Sequence, residues 1–247
     1  MPKYRKKIWA GDVYEVEEFY SPRTVGKKYE RELRGNLTSE EQQKRNLEVA
    51  RKKLTRTINA NFGAKDYFLT LTYDGTVEPE EAKKKIANFF RRLKRWRLKN
   101  DMEELKYISV LETKGRCHHH VILNGIPGMG LKEAWEIIFN LWGEGYVFLK
   151  NLKKSQQDTR LASYITKENI KKNAKRWSQS RNLIKPKIKI EEVSESKRHR
   201  VLKVPKVPKN YTRILYTENF FEEIGWVRYL KAVKNGGEDY GEYIQRE

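Results

Sequence analysis

Between residues 66 and 150 the hydrophobic pattern switches repeatedly between a period of two and a period of 3.6, and few folds accommodate that order of elements. "DYFLTLTY" (66–73) is rich in β-branched and aromatic residues and predicts a strand. "EPEEAKKKIANFFRRLKRWRLKN" (78–100) predicts an amphipathic helix with Ile86, Phe89, Phe90, Leu93 and Trp96 on its apolar side. "LKYISVLE" (105–112) and "CHHHVIL" (117–123) predict two strands joined by the turn "TKGR". "LKEAWEIIFNLW" (131–142) then predicts a helix and "GYVFLK" (145–150) a last strand. The order β-α-β-β-α-β points to an α+β domain with a ferredoxin-like, RRM-like core. Its antiparallel sheet sets the first and third strands side by side at the centre.

The flanks carry less pattern. "KIWAGDVYEVEEFY" (7–20) alternates weakly and reads as a basic N-terminal arm or an edge strand. "TSEEQQKRNLEVARKKLTRTINANF" (38–62) predicts an outer helix, with Thr38 or Ser39 as cap and Leu47, Ala50, Leu54 and Ile58 at helical spacing. After the sheet, "DTRLASYITKENIKKNAKRW" (158–177) has helical character. "SQSRNLIKPKIKI" and "VLKVPKVPK" are basic and broken by prolines, so they read as extended segments. The aromatic-rich stretch 210–234 reads as packing back onto the body. These readings divide the chain into an N-terminal arm and helix (1–64), a central domain (65–176) and a basic C-terminal extension (177–247).

Charge narrows the partners. A formal net charge of +20 is self-repelling without a polyanion, and nucleic acid is the natural one. Residues 151–210 hold 18 Lys/Arg against 5 Asp/Glu, so the excess follows the predicted sheet. A single cysteine excludes an internal disulfide. No apolar run approaches the roughly 20 residues needed to span a bilayer, and the N-terminus has no apolar signal core. A soluble, cytoplasmic protein without a membrane partner is expected.

Three of the chain's four histidines stand together at 118–120. On a strand, His118 and His120 share one face, and His119 shares the other with Cys117. Two imidazoles need a third ligand, and Glu112 on the preceding strand is the candidate. A three-residue connection sets Glu112 opposite His118 on the same face, whereas a two-residue turn sets it opposite Cys117; Gly115 favours the looser turn. Two histidines and one carboxylate leave coordination positions open, as a catalytic metal requires. The mixed nitrogen and oxygen ligands suit Mn²⁺ and tolerate Mg²⁺. A phosphate-attacking group is then needed. Among 14 tyrosines, position selects Tyr164, on the helix after the sheet, with Lys167 three residues on and on the same helical face.

"FLTLTY", the "HHH" whose outer histidines flank a middle residue, and "SYITK" follow the order and spacing of the three motifs of HUH endonucleases, the rolling-circle replication initiators of phages, plasmids and mobile elements. Residues 66–170 resemble that nuclease domain, and "RWSQSRNLIKP" resembles the basic segment that follows it. The resemblance implies a divalent metal, Mn²⁺ or Mg²⁺, on His118, His120 and Glu112. It implies nucleophilic attack by Tyr164 on single-stranded or origin-hairpin DNA with help from Lys167. The products would be a 5′-phosphotyrosyl link and a 3′-hydroxyl for a host polymerase. Lys171, Lys172, Lys175, Arg176, Arg181, Lys185 and Lys187 would contact DNA. With no "GxxxxGK[ST]" loop, duplex opening falls to supercoiling or a host helicase. Two departures stand out: the usually bulky, apolar middle residue is His119, and the motif helix holds one tyrosine. A single-tyrosine relaxase or transposase would use the same chemistry. A non-catalytic nucleic-acid binder would instead use "FLTLTY" as a stacking platform.

Overall fold

The computed structural model describes residues 2–21, 40–152, 177–193, 204–222 and 225–236. These residues form three helices and two antiparallel five-stranded sheets. The described residues divide into two compact units, one within 61–183, the other within 1–60 and 184–237.

The elements of the first unit are β3 (Tyr67–Thr72), α2 (Pro79–Lys99), β4 (Tyr107–Glu112), β5 (His118–Leu123), α3 (Leu131–Trp142), β6 (Val147–Asn151) and β7 (Ser178–Gln179). The sheet order is β6-β3-β5-β4-β7, so β3 and β5 are central neighbours, as a ferredoxin-like, RRM-like core requires. The pleat sorts their side chains: Leu69, Leu71, Val121 and Leu123 enter the core with Phe89 and Leu93 of α2 and Ile138 and Trp142 of α3. α2 begins at Pro79 with Glu80 and Glu81 in its first turn and ends with Arg97 and Lys99, each sign placed where the helix dipole favours it. Arg92 caps α3 by donating to the carbonyls of Leu141 and Trp142 at 2.8 and 2.9 Å. Trp142 donates back to the Thr72 carbonyl at 2.9 Å, which ties α3 to the end of β3. At Gly145 (φ 150°) a Cβ would sit 2.7 Å from Asp74 N and Thr72 O, so only glycine fits there.

Arg97 is 1 % exposed and fastens the far end of β5. Its guanidinium donates to the carbonyls of Glu103, Asn124 and Gly125, while Gly125 N donates to Asp66 at 2.7 Å. Arg97→Met leaves these carbonyls without a donor. The expected cost is about 2–4 kcal/mol, read from urea unfolding midpoints. A change within about 0.5 kcal/mol, as at an ordinary surface site, would show that the clamp is unimportant.

The second unit has β1 (Lys3–Ala10), β2 (Val13–Tyr20), α1 (Glu40–Asn61, its last residue excepted), β8 (Lys187–Glu192), β9 (Tyr211–Phe221) and β10 (Gly225–Lys234), in the sheet order β8-β1-β2-β10-β9. The N-terminal segment is thus neither an arm nor an edge strand: β1 pairs with β2 on one side and β8 on the other. Of the basic segments after 177, "KIKI" enters this sheet as part of β8, and the aromatic-rich stretch supplies β9 and β10. Strand partners so distant in sequence leave no local signature, whereas the β1–β2 hairpin turns at Gly11, where φ is 58°. Leu54 and Ile58 of α1 are buried, and Arg56 pairs with Glu15 at 2.6 Å and with Glu17 on one face of the sheet. On the other face, Tyr14, Val16, Leu230 and Ala232 form a small cluster against which Val207 packs.

Candidate metal centre

The β4–β5 hairpin builds the site. Gly115 turns with φ 76°, and the register places Glu112 opposite His118 and Val110 opposite His120. Glu112, His118 and His120 therefore project from the sheet face opposite α2 and α3 and converge there. His118 Nε2 lies 3.2 Å from Glu112 Oε2, His120 Nε2 lies 3.1 Å from the same oxygen, and the two Nε2 atoms are 3.2 Å apart. His118 and Glu112 are each 22 % exposed at the side chain and His120 is 3 % exposed, so the group opens to solvent at one end.

The arrangement fits a metal ion. His118 Nδ1 meets the Arg116 carbonyl at 2.9 Å, and a carbonyl only accepts, so the ring proton resides on Nδ1 and the Nε2 lone pair faces the group. His120 Nδ1 lies 3.3 Å from Thr70 Oγ1, leaving its Nε2 turned inward as well. Burial lowers the pKa of His120 and so favours the neutral ring, while the hydrogen bond to Glu112 acts the other way. With both rings carrying their proton on Nδ1, two ring lone pairs and a carboxylate oxygen 3.1–3.2 Å apart would face one another, an arrangement that a cation would join. Ligands about 2.1 Å from a shared ion stand roughly 3.0–3.4 Å apart between octahedral and tetrahedral angles, which brackets these separations. Among the described residues these three form the group of His, Cys, Asp and Glu side chains that could hold a metal ion.

His119 points the other way. It is 1 % exposed, its Nε2 is 2.7 Å from the Tyr73 hydroxyl, and it stands edge-on to Trp142 in the helix-covered core. Tyr73 donates to the Ala82 carbonyl, so its oxygen accepts from His119 Nε2–H. Burial pushes the His119 pKa down to about 4, which keeps the ring neutral at ordinary pH. It occupies the core position of the bulky, apolar residue that the resemblance leads one to expect.

Of the other residues singled out in the sequence, Tyr164, Lys167, Lys171, Lys172, Lys175 and Arg176 lie outside the described residues. Arg181, Lys185 and Lys187 are described and exposed. Sequence reasoning missed Thr70, the partner of His120, and Phe68, whose ring stacks on His120 at 5.8 Å with Lys150 Nζ 4.9 Å from its centre. The signal was present: in "FLTLT" the alternation puts Phe68, Thr70 and Thr72 on one face, beside whichever strand pairs with it.

Residues 66–174 match the family model of replication-associated protein ORF2/G2P. The matched stretch contains Glu112, His118 and His120, and it supports a Rep-type replication protein. No curated protein and no solved structure matches the chain. None of the described helices is long and apolar enough to cross a membrane.

Proposed function

We propose that this chain is a metal-dependent HUH endonuclease that nicks single-stranded DNA at an origin and so starts rolling-circle replication. The observation that carries the reading is the convergence of Glu112, His118 and His120 on the central strands, inside the segment that matches the replication-associated family. A bound Mn²⁺ or Mg²⁺ would draw electron density from a phosphoryl oxygen and offset the charge that grows there. Tyr164 Oη would form a bond to phosphorus as the bond from phosphorus to the 3′-oxygen breaks, and the departing oxygen would take up a proton equivalent to the one lost by the phenol. Lys167 would stabilise the phenolate and the charged phosphate. The free 3′-hydroxyl would then prime a host polymerase. A single tyrosine implies that strand closure uses a second subunit, a second protein or reversal at Tyr164.

The direct test is incubation with single-stranded oligonucleotides and Mn²⁺, resolved on a denaturing gel. A protein-linked fragment is expected. Hydrolytic fragments without linked protein would overturn the tyrosine chemistry, and intact DNA would overturn the endonuclease.

The basic residues after the sheet give a second expectation. Converting Arg181, Lys185 and Lys187 to glutamine, in a chain that keeps Lys171, Lys172, Lys175 and Arg176, should reduce the slope of log affinity against log salt by up to about 2 for single-stranded DNA. An unchanged slope would make the run a solvated surface.

A further inference from the structure

We infer that the sheet of the 1–60/184–237 unit carries a binding groove of its own for single-stranded nucleic acid. The groove, of about 960 Å³, lies on the face opposite Arg56 and is floored by β8, β1 and β2, with residues 204–208 along its side.

Its chemistry follows from the strand registers. Arg5↔Glu18, Lys7↔Val16 and Trp9↔Tyr14 pair across β1 and β2, and Arg5↔Glu191, Lys7↔Lys189 and Trp9↔Lys187 pair across β1 and β8. Period two places all of these on one face, together with Lys3. Four cations (Arg5, Lys7, Lys189, Lys206) and two carboxylates (Glu191, Glu192) line the groove, and Lys3, Lys187 and Glu18 stand on the same sheet face beside it. Two of these carboxylates are paired: Glu18, 1 % exposed, holds Lys3 and Arg5 at 3.3 and 2.7 Å, and Glu191 holds Lys7 at 2.7 Å. Lys189 and Lys206 are exposed and make no ion pair among the described residues.

Aromatic rings lie among these charges. Trp9 leans on Tyr14 with ring centres 5.3 Å apart, Tyr14 meets Tyr211 at 6.0 Å, and Lys187 Nζ stands 6.0 Å from the centre of the Trp9 ring. A nucleotide presents a flat base and a phosphate at a similar spacing, so a ring beside an ammonium group complements it in both parts. A small acidic ligand would use the charges and leave the rings without a role. A duplex would present phosphates to the groove but keep its bases stacked away from Trp9. Single strands alone engage both features. That the strand is DNA rather than RNA rests on the function proposed above.

The test uses the full chain with Mn²⁺ and a thymidine oligonucleotide carrying 5-iododeoxyuridine. Lys189→Gln/Lys206→Gln alters only exposed side chains. It should weaken binding roughly tenfold at 0.1 M salt and lower the salt slope by about 1.4, the amount for two phosphate contacts on a single strand. Irradiation of the wild-type chain should attach the oligonucleotide to the peptide containing Trp9 and Tyr14. An unchanged salt slope, or attachment confined to residues 61–183, would overturn the groove. Adduct formation on an origin strand, followed in parallel on a denaturing gel, separates the two ideas: its absence in the wild-type chain defeats the nuclease and leaves the groove standing. Normal adducts with an unchanged slope defeat the groove alone.

Discussion

Replacing Tyr164 by phenylalanine should abolish the covalent protein–DNA adduct of the proposed reaction, a loss of about a thousandfold or more, because it deletes the oxygen to which that reaction assigns the attack and keeps the ring. The variant should still bind Mn²⁺ and single-stranded DNA, which separates loss of the nucleophile from loss of fold. Lys167→Ala should slow adduct formation without eliminating it, since a group that only stabilises charge leaves the bond-forming atom in place. Mass spectrometry of the nucleotide-bearing peptide identifies the residue. Attachment at another tyrosine, or undiminished cleavage by Tyr164→Phe, would sink the assignment.

The second large effect belongs to the candidate metal centre. His120→Ala removes one of three converging ligand atoms from the most buried position of the group, so Mn²⁺ affinity should fall by more than about a hundredfold and cleavage should vanish with it. Thr70→Val removes the Thr70 Oγ1 contact to His120 Nδ1 that helps orient the ring; about a tenfold loss of affinity is expected. His119→Leu is the control from the opposite face. It takes away a buried ring whose Nδ1 has no partner among the described residues, and Tyr73 keeps its bond to the Ala82 carbonyl. Mn²⁺ affinity should stay within about twofold, because the substitution touches none of the three ligands. Isothermal titration with Mn²⁺ checks all three. Equal damage from His119→Leu and His120→Ala would contradict the two-face arrangement.

The core of the 61–183 unit was readable because its determinants are local. The apolar stripe from Ile86 to Trp96, the alternation of "FLTLT" and the glycine at 115 each act within a few residues, and together they dictate helix, strand and hairpin. The pairing of β4 with β5 follows from one short turn, so the meeting of Glu112 with His118 and His120 could be anticipated before any coordinates existed. The inward side of His119 followed from period two alone. What it bonds to did not, since Tyr73 lies 46 residues earlier.

Distance along the chain marks where that legibility ends. Thr70 and Phe68 reach His120 only because β3 and β5 lie side by side with a particular register, and the carbonyl that orients His118 belongs to the backbone, which carries no residue-specific signal. The second sheet is the clearest case. Residues 3–20 hold enough alternation and a glycine turn to form a hairpin, but the decision that β1 should sit between β2 and β8, and β2 beside β10, joins segments about 180 to 220 residues apart. Hydrogen bonds between backbones are the same for every sequence, so periodicity can say that a strand exists without saying which strand it meets. The basic, proline-broken segment after residue 177 has the composition of an arm, and only pairing with the N-terminal hairpin makes its lysines at 187 and 189 one row of a charged sheet face.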